Sequence, residues 1–283
     1  VYANLKSDIQ AADISIVNQE TPFTTNHDLV SGTSPYATPS EIGDALVNAG
    51  FNVVTSATSL INDNGSSMIN ETLNYWKSNH PEVTLAGIHS SQTSTDSPQI
   101  VEVNGIKIAF LDYTFPEYGS QQTDAGDGST DSSFDSSDGS GDSSSGGTSD
   151  GSGDGSSSSS DSSGSTTGSG SMIDTFSTTT VAAAIKKARA SADCIIFSAN
   201  WGKTEEPMPT EYEKEWANFL MEQGVDVVIG TNPNVLQPYG YLTDDSGHNM
   251  LIYYSLGNFV TGQETLKHLL GGMATFTIQK TVE

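Results

Sequence analysis

Short runs of β-branched and aliphatic residues recur along this chain, and most are followed or preceded by a stretch whose apolar residues fall at helical spacing. "ADISIVN" and "FNVVTSA" flank "SEIGDALVNAG", a helical pattern that stops at Gly50. "GIKIAFLDYTF" follows the turn "EVNG" with Gly105 at its tip; "TTTVAAAIKKARASA" leads into "DCIIFSAN", and "EYEKEWANFLMEQG" leads into "VDVVIG". "SSMINETLNYWKSN" is a further helix, and "NMLIYYSLGNF" and "GGMATFTIQKTV" read as closing strands near a hairpin-like end. Strands and helices alternating at this interval predict an α/β domain with a mostly buried sheet covered by helices on both faces.

One stretch does not take part. Residues 120–171 are almost wholly Ser, Gly, Asp and Thr, without Lys or Arg. Such a composition cannot bury enough apolar surface to offset the entropy of ordering, so the sequence predicts a disordered insertion. Its Asp-Gly pairs are irregularly spaced and no Glu closes a twelve-residue loop, which argues against calcium-binding repeats. Residues 1–119 and 172–283 then form one domain, because loop closure costs rise only slowly with loop length.

Charge narrows the partners. Ten Lys and Arg against 35 Asp and Glu give a formal charge of −25 and a pI near 4.1, which excludes nucleic acid and anionic membrane surfaces as general partners. Cys194, the one cysteine, lies in an apolar run and reads as a small buried hydrophobe; no intrachain disulfide can form. No apolar run reaches the length of a membrane span.

The polar clusters fall at the C-terminal ends of the predicted strands: "NQE" after "ISIV", "SATSLINDNG" after "NVVT", "NWGKTEE" after "IIFSA" and "GTNPNV" after "DVVI". In open α/β sheets that edge is where loops converge on a ligand.

With these blocks in view, the chain resembles the bacterial capsule-synthesis proteins related to CapA and PgsA of poly-γ-glutamate synthesis. The blocks "ADISIVNQETPFT", "ATPSEIGDALVNAGFNVVTSA", "NGIKIAFLDYT", "ANWGKTEE", "GVDVVIGTNPNVLQP" and "YYSLGNF" carry the likeness in order and spacing. The resemblance implies a calcineurin-like metallophosphatase fold, a β-sandwich flanked by helices, whose first strand, ending in Gly-Asp, would precede Val1. It places Asn18, Glu20, Ser59, Asp63, Asn200, Trp201, Glu205, Asn232 and Asn234 in a two-metal pocket, with Glu20, Asn200, Asn232 and Asn234 at the ligand positions. It also implies a cell-surface or extracellular setting, an anionic capsule polymer or membrane synthase components as partners, and attachment to the membrane only through an anchor outside these residues.

Every histidine that the family pattern uses as a ligand is replaced. Asn200, Asn232 and Asn234 stand at three such positions and Leu60 at a fourth. A carboxamide offers a neutral oxygen, a poor donor to Zn, Mn or Fe, and activation of water for attack on a phosphoester depends on such an ion. The five histidines present, His27, His80, His89, His248 and His268, fall in predicted loops or on solvated helix ends. Two readings stand at this point. One is an accessory capsule protein with a degenerate, inactive site and no metal. The other is a metal-dependent hydrolase of a phosphoester or γ-glutamyl amide, with a weakly bound divalent cation (Mg, Ca or Mn) held through oxygen alone.

Overall fold

The structure is a computed structural model, and it describes residues 2–90, 98–116 and 172–281. The predicted insertion at 120–171 lies outside the described residues. In chain order the elements are α1 (Lys6–Gln10), β1 (Ile16–Asn18), β2 (Phe23–Thr24), β3 (Thr38–Pro39), α2 (Glu41–Ala49), β4 (Val53–Thr55), α3 (Gly65–Asn79), β5 (Thr84–Ala86), β6 (Gln99–Val103) and β7 (Ile106–Thr114). There follow α4 (Thr178–Arg189), β8 (Cys194–Asn200), α5 (Glu211–Glu222), β9 (Val227–Thr231), β10 (Tyr239–Thr243), β11 (Asn249–Tyr253) and α6 (Leu266–Leu269).

These strands form two main sheets. The smaller has the order β1-β4-β5, all parallel; the larger has the order β10-β11-β9-β8-β7-β6, parallel through β7, β8, β9 and β11 with antiparallel strands at both edges. β2 and β3 pair separately.

Side-chain alternation shows how the sheets stack. On β7, Ile108 and Phe110 point to one side, where they meet Val53 of β4, Cys194 and Ile196 of β8 and Val227 of β9. Ala109, Leu111 and Tyr113 point to the other, onto Val181, Ala184, Ile185 and Ala188 of α4 and Ala217, Leu220 and Met221 of α5. The α4 positions are spaced three, four and seven apart, so they form one apolar stripe. The smaller sheet behaves likewise: Ile16 and Val53 face the larger sheet, while Val17 and Val54 face α1, α2 and α3 through Ile9, Leu46, Tyr75 and Trp76. The layers therefore run helix, sheet, sheet, helix. That is the sandwich flanked by helices which the resemblance implies. It corrects the simpler expectation from periodicity of one sheet with helices on both faces.

The helix ends follow local chemistry. Ser177 caps α4 by accepting from Thr180 N–H at 3.2 Å. Thr210 and Glu213 form a reciprocal capping box on α5, with the Glu213 carboxylate receiving Thr210 N–H at 2.8 Å. Cys194 is a buried free thiol, as its apolar context predicts. Within "GGMATFTIQKTV", residues 272–279 alternate half-buried and exposed, and Phe276 and Ile278 lie on the inter-sheet core, yet these residues pair with no strand among the described residues. Their strand periodicity is present without a ladder. Among the described residues, no helix is long and apolar enough to cross a membrane.

Candidate functional site

Because β1 and β4 run parallel in one sheet and β7, β8 and β9 in the other, their C-terminal ends gather at the same edge of the sandwich. Two links fasten the sheets there. Ser59 N–H, just past β4, donates to Asn200 Oδ1 at 3.1 Å, and Ser56 and Ala57 N–H both donate to Asp112 Oδ2 at 2.7 Å.

Asn200 is the hub of the first link. Its Oδ1 also accepts from Thr114 Oγ1 of β7 at 3.2 Å, and its Nδ2 donates to Thr231 Oγ1 of β9 at 3.1 Å. Both lone pairs of the oxygen are thus engaged by protein donors, and the side chain is almost fully buried. Asn232, at a left-handed φ of 91°, turns its Nδ2 onto the carbonyls of Trp201 and Gly202 at 3.0 and 3.1 Å. Asn234 also has a left-handed φ, 61°, a conformation Asn tolerates better than most residues. Asn18 Oδ1 accepts from Thr55 Oγ1 at 3.3 Å. Glu20 stays in the loop after β1; its carbonyl receives the Thr58 hydroxyl at 2.5 Å, and burial raises its carboxyl above the ordinary range.

Three of the expected pocket residues are engaged elsewhere. Asp63 Oδ2 accepts from Tyr36 N–H at 3.2 Å and anchors the loop ahead of β3. Glu205 is exposed and pairs with Lys267 at 3.0 Å and His268 at 3.6 Å. Trp201 requires a correction as a pocket residue: its ring is 1% exposed, stands against Phe115 and Tyr254 in the helix-side core, and donates from Nε1 to Tyr254 O at 3.1 Å. A ring so enclosed has no free face for a ligand. Gly230 permits this arrangement, since a Cβ there would overlap Tyr254 O and Trp201 Nε1.

Of the histidines, His80 ends α3, His27 is exposed and His89 and His248 lie in loops, as expected, whereas His268 departs from a solvated position. His268 is buried and bonded to Thr265 Oγ1 at 2.6 Å, and His248 Nε2 lies 2.8 Å from Val225 O. His89 pairs with Asp174 at 3.2 Å. His27 and His80 pair with Glu41 and Asp44 at the surface of the helices.

The donors at this edge are mostly neutral oxygens already in hydrogen bonds. The carboxamide at the centre of it already serves three strand ends, and among the described residues no three His, Cys, Asp or Glu side chains converge in a way that could hold a metal ion.

Asp112 is the group that sequence reading passed over. It sits in "FLDYT", on the inter-sheet side of β7, 2% exposed. Burial pushes its carboxyl up to about 7; the Ala57 N–H, Ser198 hydroxyl and Ser56 N–H favour the charge and limit the rise, while Asp174 adds to it. Its Oδ1 meets no donor at hydrogen-bond geometry, although Ser198 is level with it on the paired strand β8. The signal available was an Asp inside an unbroken apolar run, where an acid is uncommon. Gly87, at φ +89°, packs against this carboxylate, and a Cβ would overlap Asp112 Oδ2 and Ala57 N. Gly87→Ala is expected to cost about 3 kcal/mol or more, read as a lower denaturation midpoint; an unchanged midpoint would show that the loop can swing aside.

Fold and site together define a helix-flanked β-sandwich whose strand-end loops are tied by carboxamides. The family model for bacterial capsule synthesis protein PGA_cap matches residues 1–263, and the chain belongs to that family. It is 30% identical over 79 residues to the PGA biosynthesis protein CapA of Bacillus subtilis (strain 168), a match covering 28% of this chain and 20% of that protein. It is 31% identical over 75 residues to the capsule biosynthesis protein CapA of Bacillus anthracis, covering 26% of this chain and 17% of that one. The matched stretch therefore spans about a fifth of the length of these relatives. Among solved structures, a hypothetical protein from Thermus thermophilus superposes with a TM-score of 0.47 at 12% identity, covering 90% of this chain and 69% of the other. A putative 5'-nucleotidase from Staphylococcus aureus in complex with alpha-ketoglutarate gives 0.40 at 10% identity, covering 95% and 51%.

Proposed function

We propose that this chain serves capsule-polymer biosynthesis or export of the poly-γ-glutamate type as an accessory component at the cell surface, with a degenerate and catalytically silent metallophosphatase-type site. Its partners on this reading are the anionic polymer or the membrane-bound synthase components. With a charge of −25, direct capture of a polyanion would be opposed by repulsion, which favours the synthase components. The observation that carries the reading is Asn200: its carboxamide binds Ser59, Thr114 and Thr231, and so closes the strand ends on one another where an ion would otherwise hold them together.

A second reading keeps an active hydrolase that uses Mg, Ca or Mn bound through oxygen. Glu20 favours it, since its half-buried carboxyl lies at the same edge and, ionised beside a bound cation, would supply an oxygen ligand. Calorimetric titration with Mn, Zn, Mg and Ca, alongside assays on a phosphodiester and a γ-glutamyl peptide, separates the two. The expected result is no saturable binding of Mn or Zn and no hydrolysis above background. Stoichiometric Mn or Zn binding with turnover would overturn the accessory reading, and Mg or Ca binding with turnover would establish the second.

A further inference from the structure

Beside the strand-end loops lies a small cavity of about 60 Å³, lined by Gly87, His89, Gln99, Phe110, Asp112 and Asp174 among others. It plays no part in the function proposed above. It is the point where the chain returning from the Ser-, Gly- and Asp-rich stretch meets both sheets. Four backbone bonds make that junction: Asp174 N–H to Gly87 O at 2.9 Å, His89 N–H to Met172 O at 3.0 Å, Thr114 N–H to Asp174 O at 3.0 Å and Phe176 N–H to Thr114 O at 2.8 Å. Residues 172–176 are thereby laid between the loop after β5 and the end of β7.

We propose that Asp112, Asp174 and His89 form a proton-operated latch, which fastens residues 172–176 across the two sheets when Asp112 holds a proton and loosens them when Asp112 is ionised. The groups facing Asp112 define its action. From the end of β4 come only the N–H groups of Ser56 and Ala57, both on Oδ2. From the loop after β5 come Gly87 and His89; from 172–176 comes Asp174; from β6, Gln99; from β8, the Ser198 hydroxyl. Among the described residues, no Lys or Arg lines the cavity.

Ionised, Asp112 presents a second carboxylate to Asp174 in a space too small to screen it with bulk water, and its Oδ1 lacks a full partner. Protonated, the same oxygen becomes a donor, so repulsion between two acids gives way to a hydrogen bond. His89 Nε2 lies 3.2 Å from Asp174 Oδ1, which sets the loop after β5 against residues 172–176. Acid closes the latch and alkali opens it.

Hydrogen–deuterium exchange tests this, with rates corrected for the intrinsic pH dependence of exchange. In the wild type, the amides of His89, Thr114, Asp174 and Phe176 are expected to lose protection by about tenfold between about pH 6 and about pH 8, while amides in β8 and β9 hold theirs. In Asp112→Asn the step should vanish. The latch is overturned by a wild type without the step, by a step retained in Asp112→Asn, or by an equal step in β8 and β9. Should Asp112→Asn fail to fold, Asp174→Asn removes the repulsion from the other side. Its step is expected to shrink and move to lower pH, because Asp174 no longer opposes ionisation of Asp112, and a step unchanged in size and midpoint also overturns the latch.

Discussion

Asp112→Asn is expected to flatten the pH dependence of stability, with its largest gain over the wild type above about pH 7. The sign follows from the direction of the shift. The folded-state value of about 7 lies above the ordinary 3.8, so the stability this group contributes is fully present below about pH 4 and is lost as pH rises through about 7. Above that, the folded wild type carries a buried charge that the unfolded chain would leave in water. About three units at roughly 1.36 kcal/mol each set a ceiling on the order of 4 kcal/mol. The gain should fall short of it, because an amide oxygen receives the Ser56 and Ala57 N–H groups less strongly than a carboxylate does. Other acids tilt the wild-type curve the opposite way. Asp193, held low by Lys107 N–H and Lys280, and Asp44, held low by His80 and Tyr75, lose their contribution as pH falls. The difference between variant and wild type, followed by urea denaturation from about pH 4.5 to about pH 8.5, cancels these common terms. Parallel curves across that range would place the Asp112 transition elsewhere.

Much of the architecture was legible because strand and helix periods are local properties. Val181, Ala184, Ile185 and Ala188 announce one buried stripe, and the run from Ile106 to Thr114 announces a strand buried on both faces. What covers the second face of such a strand is a different matter. A helix and another sheet demand the same apolar residues, so "GIKIAFLDYT" alone does not distinguish a doubly covered sheet from a sandwich. Ordered block resemblance supplied what periodicity lacked. The same limit explains Trp201. A Trp after a strand end reads as cleft or core from composition alone, and only the stacking with Tyr254 and the bond to its carbonyl decide for core. Asp112 was hidden by its neighbours: its partners, Ser56, Ala57, Gly87 and Asp174, are distant in sequence and belong to the other sheet or to the far side of the 120–171 stretch.

The convergence of strand ends was legible; the role of the asparagines in it was not. Sequence presents Asn200 as a weakened ligand, and the structure presents it as a joint between β4, β7, β8 and β9. These descriptions predict different things for Asn200→Ala. As a joint, the substitution removes three buried hydrogen bonds and strands Ser59 N–H, a loss of about 3 kcal/mol at roughly 1 kcal/mol per bond. That loss does not depend on any ion, so the denaturation midpoint should fall equally in buffer containing Mn and in buffer containing a chelator. As a ligand, Asn200 would stabilise the fold only through the metal, and mass action would confine the difference between wild type and variant to the metal-containing buffer. A midpoint shift that disappears on chelation would return Asn200 to the metal site. A shift indifferent to chelation would mean that a neutral carboxamide takes the place of an ion at this edge, holding the two sheets in register without offering them a reaction.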